Sequence, residues 1–493
     1  MNNRRVGGQC MLALLMLLGV AACGGGKPVA GKGQADLQPC RLDGVPAEAH
    51  CGTLTVYEDR AAAQGRQIVI HYAVVPAISA SPLPDPIVFF AGGPGQSAIK
   101  LSGAAYHVLR KVRRDREIVL IDIRGTGKSR PLNCGQPDKK AELAAQLAFQ
   151  DTVAAAQDCL RKFGPGIRHY TTPNAAADVG DVLQSLGYSQ VNLWGVSYGT
   201  RMALEFLRQN PRSVRSAVLD GVAPTGIKLP LYFSRDGDAA LQRLIGDCEA
   251  DSACRAAMPD LRADVLQVVD SLRKAPARLT TIDPSSGEKI EVTIDAQGFH
   301  SGLRAALYSG EVSSLVPLIV REARAGNFGP LLAEINWSSG EFTESMALGL
   351  MLNVMCNEEV PRVTPDELQR ESTSAVFRAD LYESVVKACA VWPKTAIPAA
   401  YYQAVQSDVP VLLLSGGMDP ATPPVWGDIV AKNFPNARHV VAPNVSHNVS
   451  PRGCVPRLLA EFYDKGSAEN LDAACVRKIT RPSFFVNFAG PKS

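Results

Sequence analysis

Residues 191–200 read Val-Asn-Leu-Trp-Gly-Val-Ser-Tyr-Gly-Thr, and they narrow the possible folds more than any other stretch. The apolar run Val191 to Trp194 predicts a short buried strand. It ends in G-x-S-x-G and passes straight into Arg201-Met202-Ala203-Leu204-Glu205-Phe206-Leu207, a helical pattern. Gly195 and Gly199 lack a Cβ, so the backbone can fold tightly around Ser197 and tolerate positive φ. A strand-to-helix turn of this kind lifts a serine hydroxyl above a sheet. The helix N-terminus beneath it offers free N–H groups and a positive dipole end to a developing anion. Ser197 is therefore a candidate nucleophile; a plain glycine-rich turn is the alternative for the same residues.

The chain around it alternates strand and helix signals. Leu54 to Tyr57 and Gln67 to Val75 alternate as an opening antiparallel pair. Ile87 to Phe90 reads as a central strand and ends in Ala91-Gly92-Gly93-Pro94-Gly95-Gln96-Ser97. Glycines after a buried strand let backbone N–H groups come close to a ligand. Glu117 to Ile121 is the next strand, followed by Asp122-Ile123-Arg124-Gly125-Thr126-Gly127-Lys128-Ser129. This loop imitates a phosphate-binding one, but the first glycine of that motif would fall at 122, which is Asp122. A structural loop is expected, with Asp122 and Arg124 pairing locally. Ala141 to Lys162 and Asn174 to Leu186 read as helices, with Asn174 as a possible cap. Val214 to Asp220, Val409 to Ser415 and Arg438 to Ala442 complete the strands. Between the first two of these, the chain is mainly helical, apart from a hairpin signal at Ala277 to Ile294. The expectation is an α/β fold of about eight mostly parallel strands, covered on both faces. A large, mainly helical cap enters between core strands six and seven.

The expected divisions are a leader at 1–23, a flexible tether at 24–39, core at 40–222 and 409–493, and cap at 223–408. Arg4 and Arg5 precede an apolar run, Met11 to Val20, too short to span a bilayer. It closes on Val20-Ala21-Ala22-Cys23, which resembles a bacterial lipobox with Cys23 as the lipidated residue. Cleavage as an ordinary signal peptide is the alternative. Export is expected either way: to the periplasm or cell surface on a lipid anchor, or secreted. The anchor is then the sole expected membrane contact. Ten of the twelve cysteines follow Cys23 and fall into neighbouring pairs: Cys40/Cys51, Cys134/Cys159, Cys248/Cys254, Cys356/Cys389 and Cys454/Cys475. Sequential disulfides are the preferred framework, although sequence alone leaves connectivity open. No metal-ligand spacing appears, and no cofactor or metal is expected. A net charge of +3 gives no sign of nucleic acid as a partner; nothing indicates an oligomeric state.

A serine nucleophile needs a base, and the base needs a carboxylate to fix its tautomer. In α/β-hydrolases the chain order is Ser, then Asp or Glu, then His. Here Ser197 follows the fifth expected core strand, Asp419 the seventh and His447 the eighth. All three fall where open α/β sheets gather their sites. Asp408 and Asp428 are nearby alternatives to Asp419. The expected oxyanion donors are the backbone N–H of Tyr198 and that of Gly93 or Gly92.

FFAGGPGQS, DIRGTGKSRP, GVSYGTRMALEFLRQNP, LDGVAP and LLLSGGMDPATPP, with the late histidine, resemble exported tripeptidyl aminopeptidases. These are serine peptidases of the prolyl-aminopeptidase group, with the α/β-hydrolase fold. The resemblance runs from about residue 50 to 480. Ala91 stands where prolyl aminopeptidases usually carry histidine, which speaks against strict proline specificity. The resemblance implies an α/β-hydrolase core, an acyl-enzyme on Ser197, and peptide substrates cut from a free N-terminus. A cap anion would then hold the substrate ammonium, and Glu358 and Glu359 are the expected candidates. An esterase on the same scaffold, or a non-catalytic peptide-binding lipoprotein, are the competing readings.

Overall fold

The computed structural model describes residues 36–134, 152–283, 286–374 and 376–491. The leader with Cys23, most of the tether, and residues 141–151 of an expected helix lie outside them. The frame is a nine-stranded sheet. Its strands are β1 (Gln38–Cys40), β2 (Ala49–Tyr57), β3 (Gln67–Val75), β4 (Ile87–Phe90), β5 (Ile118–Ile121), β6 (Val191–Val196) and β7 (Val214–Asp220), then β10 (Val411–Gly416) and β11 (Ala437–Ala442). β8 (Ala277–Ile282) and β9 (Lys289–Ile294) form a separate antiparallel hairpin. The spatial order is β1-β2-β3-β5-β4-β6-β7-β10-β11. β1, β2, β3 and β5 pair antiparallel, and every pairing from β5 to β11 is parallel. The short β1 is the one sheet strand the sequence pattern does not announce.

The central strands are apolar at consecutive positions because both sheet faces are covered. Val88, Phe90, Val119, Ile121 and Leu193 enter one core, with the helices Thr172–Ser185 and Tyr198–Gln209. Ile87, Phe89, Ile118, Leu120 and Trp194 enter the other, with the helices Ser102–Val108 and Val455–Lys465. The cap of residue Asn174 goes instead to Thr171, whose hydroxyl accepts the Asn174 N–H at 3.4 Å. Pro173 in the first turn sets that helix start one residue after Thr171.

Between β7 and β10 the chain leaves the sheet. Its first part, built on helices such as Phe233–Ala250 and Ala296–Leu307, packs around its own apolar cluster of Leu241, Leu244, Val269, Phe299 and Leu303. The second part does not stand apart. Leu350, Val354, Met355, Val385 and Trp392 share the apolar core beneath the sheet. Five disulfides join Cys40 to Cys51, Cys134 to Cys159, Cys248 to Cys254, Cys356 to Cys389, and Cys454 to Cys475.

The expected local pair of Asp122 and Arg124 is not formed. Arg124 reaches Asp178 with two hydrogen bonds, of 2.6 and 2.8 Å. Asp122 instead accepts from Ser97 Oγ at 2.6 Å and from the Lys128 N–H at 3.1 Å. A Cβ on Gly127 would lie 1.8 Å from the Asp122 carboxylate, so only glycine lets this loop close. Asp122 thereby ties the loop after β5 to the glycine loop after β4.

Candidate active site

Five loops leave the sheet in one layer. Phe90 pairs with Gly195, Val196 with Asp220, Asp220 with Leu414, and Ser415 with Val441. The chain reverses its direction of winding at β4 and β6, where open α/β sheets form crevices.

Ser197 sits between β6 and the helix Tyr198–Gln209 at φ 56° and ψ −123°. That is a costly conformation for a residue with a Cβ, and its surroundings enforce it. Its N–H donates to the Asp220 carbonyl at 2.8 Å. A Cβ on Gly199 would lie 2.0 Å from the Phe90 carbonyl oxygen, and one on Gly195 2.4 Å from that of Gly199. The elbow thus presses against β4 with no room for a methyl group. Gly199→Ala is expected to destabilise the fold by about 3 kcal/mol or more, as overpacked backbone contacts do. Chemical denaturation checks this; an unchanged midpoint would contradict the packing described.

His447 Nδ1 lies 2.7 Å from Asp419 Oδ2. Asp419 also accepts the N–H groups of Ala421 and Thr422, each at 2.8 Å, and the Thr422 hydroxyl at 2.9 Å. Both residues are buried, at 2 % exposure for Asp419 and 8 % for His447. Burial alone would raise the Asp419 pKa, but the His447 charge and hydrogen bond bring it below the ordinary aspartate value. Burial would lower the His447 pKa; the Asp419 charge and hydrogen bond, with Asp220 adding, hold it above the ordinary histidine value. Nδ1 is committed to Asp419, which leaves Nε2 for a nucleophile. Among the described residues, no hydrogen bond joins Ser197 Oγ to His447 here. Such contacts are commonly long before substrate arrives.

Asp428 pairs with a different histidine. His439 Nδ1 meets it at 2.8 Å, and His439 Nε2 meets Ser415 Oγ at 2.9 Å. This second Ser, His and Asp chain has no strained elbow, and Ser415 is fully buried within β10. No substrate carbonyl can reach it. Asp408 contributes a backbone carbonyl to Asn436 at 2.7 Å.

Tyr198 opens the elbow helix, so its N–H falls in the unpaired first turn. A Cβ on Gly92 would lie 3.2 Å from that of Ser197, which brings the glycine loop against the elbow. Gly93, at φ 111°, shares that loop, and Gly95 accepts the Ala347 N–H at 2.9 Å. Met346 and Ala347 therefore rest on the loop from outside.

Glu358 and Glu359 lie elsewhere in function. Both are fully buried in the π-helical turn Met355–Glu359. Glu358 accepts the Thr172 N–H and hydroxyl, each at 2.7 Å, and the Tyr401 hydroxyl at 2.6 Å. Thr172 Oγ1 lies 2.6 Å from the Tyr198 hydroxyl. Glu359 pairs with the buried Arg201 and, at 2.7 Å, with Arg362. Neither carboxylate is open to an incoming ammonium; a side chain with every oxygen occupied braces rather than recruits. This corrects the amine-anchor expectation. The pair holds the elbow helix from below. Arg201→Met leaves two buried carboxylates short of a countercharge and is expected to cost about 3–5 kcal/mol. Urea denaturation reads the loss, and adding Glu359→Gln should restore part of it.

Asp220 carries a role that sequence reasoning missed. It ends β7 fully buried, and its carboxylate accepts the N–H groups of Val449 and Ser450 at 2.8 and 2.7 Å. Burial pushes its pKa up. These bonds fix the backbone just after His447. From the cap, the Tyr308 carbonyl accepts the His447 N–H at 3.2 Å, and the two rings meet edge to face at 5.1 Å. The sequence signal was thin: an aspartate closing an apolar strand just before Gly221. Among the described residues, no group of three or more His, Cys, Asp or Glu is placed to hold a metal ion.

A family model described as alpha/beta hydrolase fold matches residues 85–257, and one described as TAP-like protein matches residues 374–475. The tripeptidyl aminopeptidase of Streptomyces lividans is 28% identical over 263 residues, 49% of this chain and 49% of that protein. The aligned chain thus spans about half the length of this relative. The serine protease Hip1 of Mycobacterium tuberculosis is 25% identical over 477 residues, 89% of this chain and 90% of that protein. Among solved structures, an esterase from Exiguobacterium antarcticum is 15% identical, covering 80% of this chain and 96% of its own, with a TM-score of 0.37. By its sheet and its family model the chain has the α/β-hydrolase fold, and its sequence is similar to those of a tripeptidyl aminopeptidase and the serine protease Hip1.

Proposed function

We propose that the protein is an exported serine peptidase that removes short peptides from a free N-terminus. The observation that carries this reading is the buried Asp419–His447 pair set in the same loop layer as a strained, elbow-borne Ser197. Ser197 Oγ attacks the scissile carbonyl while His447 Nε2 takes the hydroxyl proton. The C–N bond breaks as His447 hands that proton to the leaving amine, leaving an ester on Ser197. Water then attacks that ester, His447 accepts its proton and returns it to Ser197 Oγ, and the peptide acid departs. The backbone N–H groups of Tyr198 and of Gly93 or Gly92 are the donors proposed for the oxyanion. The N-terminal preference rests on likeness to the tripeptidyl aminopeptidases. Export, with a lipid anchor on Cys23, rests on the leader sequence and agrees with five disulfides. Among the described residues, no helix is long and apolar enough to cross a membrane.

The test is a hydrolysis panel on the processed protein. Aminoacyl, dipeptidyl and tripeptidyl chromogenic amides, each with free and acetylated N-terminus, are compared with a short-chain ester. The expected result is amide cleavage that requires the free amine. Cleavage of the ester alone would overturn the peptidase reading in favour of an acyl hydrolase.

A further inference from the structure

A small cavity lies in the cap, and Tyr308 stands between its lining residue Arg304 and His447. It has a volume of about 40 Å³ and is lined by the start of the helix Phe233–Ala250, the helix Ala296–Leu307, and residues 377–382. That is room for roughly three water-sized groups, the size of a carboxylate. Its walls are apolar in part, yet they carry polar atoms with nothing to bond. Ser234 Oγ and His300 Nε2 are buried and, among the described residues, make no hydrogen bond, while His300 Nδ1 faces the Asp380 carboxylate at 3.7 Å. Buried polar groups of this kind call for a partner.

Arg304 connects the cavity to the catalytic histidine. Its guanidinium lies 4.6 Å from the Phe233 ring centroid and 5.4 Å from that of Tyr308, and Nη1 donates to the Tyr308 hydroxyl at 2.9 Å. Tyr308 is the ring that meets His447 edge to face. Among the described residues, no carboxylate lies within ion-pair distance of Arg304. Asp380, the cavity's one acidic lining residue, is 3.7 Å from His300 Nδ1. Arg304 and Arg378 outnumber it among the lining residues. The stacked rings hold Arg304 in place without neutralising it, so it keeps its charge for a ligand.

We propose that this cavity receives a carboxylate of the substrate, with Arg304 as its charge partner and Ser234 and His300 as hydrogen-bond donors. The inference rests on the hydrolase reading above and adds a substrate class to it: peptides bearing a carboxylate close to the scissile bond. An acidic side chain and the C-terminal carboxylate of a short peptide share that chemistry. Matched substrates separate them. The processed protein is assayed on tetrapeptides with Glu against Gln at each position, and with a free C-terminal carboxylate against a carboxamide. A hemisuccinate ester is compared with a butyrate ester alongside.

The expected result is a kcat/KM ratio of at least about tenfold for one carboxylate form, the scale of a charge-assisted hydrogen bond. Which pair shows it names the source. Arg304→Gln should bring that ratio close to one, and Arg304→Lys should keep most of it. Ser234→Val, which fills the cavity and leaves the charge, should lower it. Ratios near one in the wild type, or a ratio that survives Arg304→Gln, would overturn the inference. Uncleaved peptides with an Arg304-dependent ester ratio would instead sink the peptidase reading and leave the carboxylate site standing. Turnover of neither series overturns both.

Discussion

Ser197→Ala is expected to lower kcat by about 10⁶-fold on any substrate the wild type cleaves, with the fold intact. The size follows from the mechanism, in which no other group within the elbow can take the acyl group. On the same helix the Thr200 hydroxyl is spent on the Ser197 carbonyl at 2.6 Å and the Ala223 N–H at 2.8 Å, and the Tyr198 hydroxyl on Thr172 at 2.6 Å. Backbone donors and bound substrate remain in the variant, so a residual rate of about 10³–10⁴ over water should persist. Stability should rise slightly or stay level, because alanine loses no buried partner here. Steady-state kinetics with a denaturation curve on the same sample checks both parts. A loss below about tenfold would remove Ser197 from the reaction.

Asp419→Asn is the second large effect, expected to lower kcat by about 10⁴-fold at neutral pH. The carboxylate accepts from His447 Nδ1 and from three further donors, so asparagine fits the site but can present its amide N–H to Nδ1. The imidazole then carries its proton on the wrong nitrogen. The pH profile should change with it. Neutral His447 is the base, and its pKa is raised in the wild type, so activity should fall on the acid side with a midpoint above about 6.5. In Asp419→Asn that midpoint should move down. The same pair acts on stability in the corresponding sense. The His447 contribution is complete below about pH 6.5 and fades as pH rises through its raised value. The Asp419 contribution holds above about pH 3.9 and fades as pH falls through its lowered value. An acid limb that stays in place in the variant would contradict the role given to Asp419.

Features written in short-range pattern were readable from the chain. The apolar runs of β4, β5, β6, β7 and β10 declare strands buried on both faces, and the glycines of the elbow declare a turn too tight for a side chain. Features set by distant partners were not. Arg124 has Asp122 two residues away, yet it meets Asp178, because the loop geometry commits Asp122 to Ser97 and the Lys128 N–H. Glu358 and Glu359 look like a charged helix start in one dimension. The π-helical turn rotates both inward, one to Thr172 and Tyr401, the other to Arg201 and Arg362. His439, Ser415 and Asp428 share the residue types of a triad but sit within strand and helix, where no substrate comes. Residue type therefore names candidates, and only backbone context separates a reacting serine from a buried one. Tyr308 escaped notice because it belongs to the cap with no motif of its own, and Asp220 because the motif LDGVAP that holds it gives no sign that its carboxylate reaches the backbone after His447.

The most direct test of the account is to label the processed protein with a tripeptidyl phosphonate bearing a free amine and to map the adduct by mass spectrometry. The expected result is one adduct per chain, on Ser197, formed much more slowly in His447→Ala and when the probe's amine is acetylated. An adduct on Ser415 or any other residue, or none at all, would contradict it.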